Sequence, residues 1–76
     1  MPVPEMTPVS SSNLHSVGHD GEALYVRFRG KDGPGRLYRY PTAGREHYEG
    51  LLAAPSAGSY FLDQLKFGHV GERVHE

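Results

Sequence analysis

Leu24-Tyr25-Val26-Arg27-Phe28-Arg29 and, after a short interruption, Arg36-Leu37-Tyr38-Arg39-Tyr40 are the stretches whose reading decides the fold. The first alternates with period two. Successive side chains of a strand point to opposite faces, so Leu24, Val26 and Phe28 share one face and Tyr25, Arg27 and Arg29 the other. Between the stretches, Gly30-Lys31-Asp32-Gly33-Pro34-Gly35 places three glycines and a proline in six residues, the composition of a loop joining two antiparallel strands. Pairing across that hairpin sets Tyr38 and Tyr40 beside Leu24, Val26 and Phe28. It leaves Tyr25, Arg27, Arg29 and Arg39 together on the open face.

Upstream, Leu14, Val17 and the turn chemistry of Gly18-His19-Asp20-Gly21 predict a short strand running into a turn. Downstream, Pro41 ends the second hairpin strand, and Thr42 is placed to cap a helix over 43–53, with Tyr48, Leu51 and Leu52 at i, i+3, i+4 spacing. Pro55 breaks that helix. Ser56 offers a cap for a second one, in which Ala57, Phe61 and Leu65 recur at i, i+4, i+8 beside Tyr60, and Gly68 stops the turn. The expected fold is therefore α+β: a three-stranded antiparallel β-meander followed by two short helices packed on one face. Its core is predicted from Leu24, Val26, Phe28, Tyr38, Tyr40, Tyr48, Leu51, Leu52, Phe61 and Leu65.

The ends read differently. Pro2, Pro4 and Pro8 remove backbone donors and fix φ, so residues 1–10 are expected as a mobile, proline-rich arm, with the domain over 11–67 and a frayed tail over 68–76. At 76 residues with no cysteine, the chain has room for one small domain, which buries about 60–65% of the surface its unfolded form exposes. Its apolar runs are too short for a membrane span of about 20 residues or a signal-peptide core. A cytoplasmic protein, monomeric when free, is the expectation, in the host cytoplasm if a phage encodes it.

A formal net charge of −1 hides a dipolar distribution. Six of the eight basic residues fall within residues 23–45, as Arg27, Arg29, Lys31, Arg36, Arg39 and Arg45, against Asp32 as the single acid. An anionic partner belongs there. Arginine forks match phosphate and carboxylate geometry, and an exposed ring can stack on a base. Tyr25, Arg27, Arg29, Lys31 and Arg39 are accordingly the candidate contacts for a partner or nucleic acid. The same pattern also describes the polar, solvated face that many antiparallel sheets keep.

Other chemistry is weaker. The five histidines invite a metal, but on an extended segment His15 and His19 lie roughly 13 Å apart, whereas two zinc-bound nitrogens sit within about 4 Å of each other. His69 and His75 fall in the tail. None of the serines at 10, 11, 12, 16, 56 and 59 occupies a G-x-S-x-G elbow, and Glu46 and Glu49 at i, i+3 decorate a helix. The glycine stretch at 30–35 lacks the phosphate-loop pattern and precedes a strand. We expect no catalysis, no metal and no cofactor.

Taken in order, Ser11-Ser12-Asn13-Leu14, Val17-Gly18-His19-Asp20, Leu24-x-Val26-x-Phe28, Tyr38-Arg39-Tyr40, Leu51-Leu52, Ala54-x-Ser56-x-Gly58 and Tyr60-Phe61 resemble the KTSC domain. That family is named after the C-terminus of some lysyl-tRNA synthetases and also occurs as stand-alone bacterial and phage proteins. The resemblance covers about residues 11–67 and centres on the Y-x-Y of Tyr38 and Tyr40. Two positions depart from it: His19 stands where an aromatic is usual, and Thr42-Ala43-Gly44 lacks the hydrophobic residue usual after Y-x-Y, which bears on where the first helix starts. The resemblance implies a three-stranded meander with two helices and an RNA-related role. Together with the basic face it leads us to expect a non-catalytic binding module acting on a nucleic-acid machine, such as RNA polymerase or another RNA-handling protein. The modest net charge favours a protein partner over naked RNA. The alternative is a phage-type small regulator that inhibits or retargets a host enzyme, such as RNA polymerase, by protein contact.

Overall fold

The structure, a computed structural model, describes residues 3–9, 11, 13–31, 33–65 and 68–74. Ser10 and Ser12 of the serine cluster, Asp32, and His75 of the tail lie outside the described residues. Five antiparallel strands form one sheet in sequence order: β1 (Thr7–Pro8), β2 (Leu14–His19), β3 (Leu24–Gly30), β4 (Gly33–Tyr40) and β5 (Glu72–Val74). Two helices, α1 (Arg45–Ala53) and α2 (Ala57–Gln64), lie between β4 and β5 in the chain.

The hairpin register is the one the alternation predicts. Leu24 pairs with Tyr40, Val26 with Tyr38, and Tyr25 with Arg39. The inner face thereby joins Leu14, Val17, Leu24, Val26 and Tyr40 to Leu51 of α1 and Ala57, Phe61 and Leu65, with Phe28, Tyr38, Tyr48 and Tyr60 packed against them. The strands reach further into the glycine segment than expected, to Gly30 on one side and Gly33 on the other, so most of the presumed loop is ladder.

Four expectations need correction. The meander has five strands, because residues from the expected arm and tail pair at its edges: Thr7 with Val17 and Pro8 with Ser16 on one side, and Glu72–Val74 against Leu37–Arg39 on the other. Tyr25 is not on an open face. It is only 4% exposed and forms a second, small core with Ala23 and Leu37, against which Met6 and Val74 pack. Leu52 is not core either: it is 40% exposed, since it sits about 100° around the helix from Leu51, the residue α1 buries. Finally, α1 starts at Arg45 behind Gly44, which makes no side-chain cap, while the Thr42 hydroxyl bonds the His69 ring instead.

Ser56 does cap α2, its hydroxyl accepting from the Ser59 N–H. That contact satisfies one of the otherwise unpaired amides of an eight-residue helix.

The covering of Tyr25 depends on a missing side chain. Gly18 pairs directly with Tyr25 and so belongs to the outer face. A Cβ built there would lie 2.7 Å from the Glu5 carbonyl oxygen and 2.9 Å from the Met6 sulfur. The N-terminal segment therefore lies flat on β2 only because residue 18 is glycine, and Met6 then reaches the second core. Gly18→Val should cost about 1–3 kcal/mol through overpacking, with the damage confined to this edge. Thermal melts check the size, and amide exchange should accelerate at residues 4–9 and around Tyr25 while Leu24, Val26 and Leu51 stay protected.

Candidate functional site

On the outer face the sequence-predicted contacts are engaged within the chain. Tyr25 is buried. Arg39 Nη1 donates to Glu72 Oε1 at 3.2 Å, and the Tyr25 hydroxyl and the Glu72 carboxylate beside it hold the guanidinium in its charged form. Arg27 Nη1 donates to the Gly35 carbonyl at 3.0 Å. Lys31 is exposed in the β3–β4 turn. The one predicted contact that leaves this group altogether is Arg29.

The strands on either side of β3 are irregular next to it. Between Leu14–Phe28 and Ser16–Arg27, β2 carries an extra residue, His15; between Arg27–Leu37 and Arg29–Pro34, β4 carries another, at Gly35 or Arg36. Phe28 is thus flanked by a bulge on each side, and bulges twist a strand and re-aim its side chains. Arg29, outer by strict alternation on a strand that itself carries no extra residue, donates from Nε to the Ser11 carbonyl at 2.8 Å and is among the residues lining the groove at this end.

A groove of about 840 Å³ opens at this bulged end, beside the first two turns of α2. Its floor is aromatic. The Phe28 ring meets Tyr38 at 5.5 Å between centroids and Phe61 at 5.5 Å, and Tyr40 meets Phe61 at 5.7 Å, all edge to face. Arg29 and Arg36 stand on the hairpin side, Leu62 on the helix side, and His69 and Gly71 on the link from α2 to β5. Among the described residues no carboxylate lines it. Arg36 forms no ion pair or hydrogen bond among the described residues, which suits it to an external anion.

Sequence reasoning placed Arg36 on the correct face, with Tyr38 and Tyr40, but did not include it in the site. The signal for including it is the Gly-Pro-Gly run before it, which permits the bulge and makes strict alternation unsafe beyond Phe28.

The surroundings hold this end in shape. Ser11 Oγ accepts from the Asn13 and Leu14 amides, each at 3.0 Å. A Cβ on Gly58 would lie 2.8 Å from that same oxygen, so the first turn of α2 seats directly on the start of β2. At the far end of β2, Gly21 N–H donates to His19 Nδ1 at 3.0 Å, which leaves Nε2 to donate to the Ala43 carbonyl at 3.1 Å. His19 thereby ties β2 to the approach to α1. Behind the groove, Tyr60 Oη lies 3.3 Å from His47 Nδ1, the His47 and His69 rings are 5.1 Å apart, and Thr42 Oγ1 lies 2.7 Å from His69 Nδ1. Among the described residues no group of three or more His, Asp or Glu could hold a metal ion, and no helix is long and apolar enough to cross a membrane.

This arrangement, a five-stranded meander with two helices on one face and an aromatic groove at its bulged end, defines a small α+β domain with a ligand-sized concavity. The KTSC domain family model matches residues 10–67, and the chain belongs to that family. A crystal structure of a KTSC domain protein from Yersinia pestis superposes with a TM-score of 0.78 at 26% sequence identity, over 93% of this chain and 97% of that one. A search of curated proteins returns no match. The structure gives the resemblance its physical content, since the serine–asparagine segment at 11–13 and Gly58 meet at Ser11 Oγ while Tyr38 and Tyr40 floor the groove.

Burial, with Tyr38 beside it, pushes the Tyr40 phenol up to about 12. The unfolded chain ionises this tyrosine near pH 10, before the folded one does, so stability falls as pH rises from about 10 towards 12 and is unaffected below that window. Chemical denaturation across this range should show the decline, and Tyr40→Phe should flatten it.

Proposed function

We propose that the chain is a non-catalytic binding module that acts on a nucleic-acid machine, an RNA polymerase or another RNA-handling protein, by protein contact at the groove. The observation that carries this reading is the meeting of an aromatic floor with two guanidiniums, with no carboxylate among the described residues of the lining. Guanidiniums stay charged at all physiological pH values and hold carboxylate or phosphate without exchanging protons. Tyr40, whose phenol burial keeps protonated far above physiological pH, suits a wall better than an acid–base group. The volume lies within the range of about 300–1,000 Å³ common to ligand pockets. Resemblance to domains at the C-terminus of some lysyl-tRNA synthetases supports the RNA-handling side of the proposal.

The test is capture from lysate on the immobilised chain, with and without nuclease. A protein partner should be retained in both conditions, lost with Arg29→Glu/Arg36→Glu, and kept with Arg39→Glu, whose side chain belongs to the outer face. Circular dichroism checks that each variant folds. Nuclease-sensitive capture of nucleic acid alone overturns the protein-contact reading. Loss with Arg39→Glu but not with the double reversal overturns its placement in the groove.

A further inference from the structure

From the groove's lining we infer that its occupant is an acidic peptide segment of the partner carrying one large apolar anchor. The inference rests on the binding-module reading and names the chemistry that module recognises.

Charge sets the sign. Arg29 and Arg36 line the opening with no carboxylate among the described lining residues, in a chain whose formal net charge is −1, so these guanidiniums give the site a local positive character. Arg29 uses Nε on the Ser11 carbonyl, and Arg36 has no partner among the described residues. A planar carboxylate suits such forks.

The rings argue for an anchor and against a stacked base. Single-stranded nucleic acid binds where flat ring faces are free to stack. Here Phe28, Tyr38, Phe61 and Tyr40 are committed to one another edge to face, at interplanar angles of 87°, 86° and 77°. Inserting a base in parallel would break those contacts, whereas a Leu, Ile, Met or Phe side chain can rest on the ring edges and fill the space between them.

The rim completes the case. Leu62 lines the groove and is 44% exposed. An exposed aliphatic side chain at the mouth of an aromatic groove contributes nothing to phosphate binding but matches the apolar flank of a peptide. Gly30, Gly35 and Gly71 present main chain without side chains along the same opening, against which an extended peptide backbone can lie.

The test is selection from a random dodecapeptide display library on the immobilised chain, followed by titration of one enriched peptide and of a ten-nucleotide oligouridylate. Enriched sequences should place Asp or Glu on both sides of a Leu, Ile, Met or Phe. Arg36→Glu and, separately, Leu62→Glu should weaken the enriched peptide at least about tenfold while leaving the circular dichroism spectrum unchanged, since both residues are exposed. Replacing the peptide's acids by amides should do the same. Enrichment of basic or uncharged sequences, no enrichment at all, equal binding of acidic and amide peptides, or tighter binding of oligouridylate overturns the inference. If any of these occurs while lysate capture remains dependent on Arg29 and Arg36, the binding module stands and only the peptide chemistry fails.

Discussion

Phe61 holds the two layers together. It lies on the inner side of α2 and touches Phe28 and Tyr40, residues of two neighbouring strands, edge to face. An eight-residue helix is not stable alone in water, so α2 exists because its apolar side finds this surface and because Ser56 caps its start. Burying such a ring is worth about 1.5–3 kcal/mol, a large share of the few kcal/mol that keep a domain this small folded.

Around Phe28 the sheet departs from regular alternation on both sides, at His15 and at Gly35 or Arg36. Arg29 and Arg36 both line the groove at this end, while Arg27 and Arg39 bond within the chain. The basic third of the chain is thus divided, and the outer side around Tyr25 is covered in part by Met6 and Val74.

Local pattern carries the centre of the fold and fades toward its edges. The period-two alternation, the register of Leu24 with Tyr40 and Val26 with Tyr38, and the Ser56 cap were all legible because each is set by neighbours a few residues away. The edge strands were not legible: Thr7–Pro8 and Glu72–Val74 are too short to show a period, and pairing, not composition, makes them strands. Tyr25 was misplaced for the same reason, since its burial depends on Met6 and Val74 arriving from the two ends of the chain. Of the groove, Arg29 was named, while Arg36 and His69 were left out, because the bulges and the return of the link after α2 are tertiary facts.

The account stands on the claim that the inner groove, and not the outer basic face, is the binding surface. Amide chemical-shift mapping of the chain with its captured partner, or with a groove-binding peptide, measures this directly. Perturbations should cluster at Phe28–Gly30, Gly35–Tyr38, Gly58–Leu62 and His69–Gly71, leaving Gly18, Tyr25 and Arg39 unmoved. Shifts centred on Gly18, Tyr25, Arg39 and Glu72, with Phe61 and Leu62 silent, would contradict it.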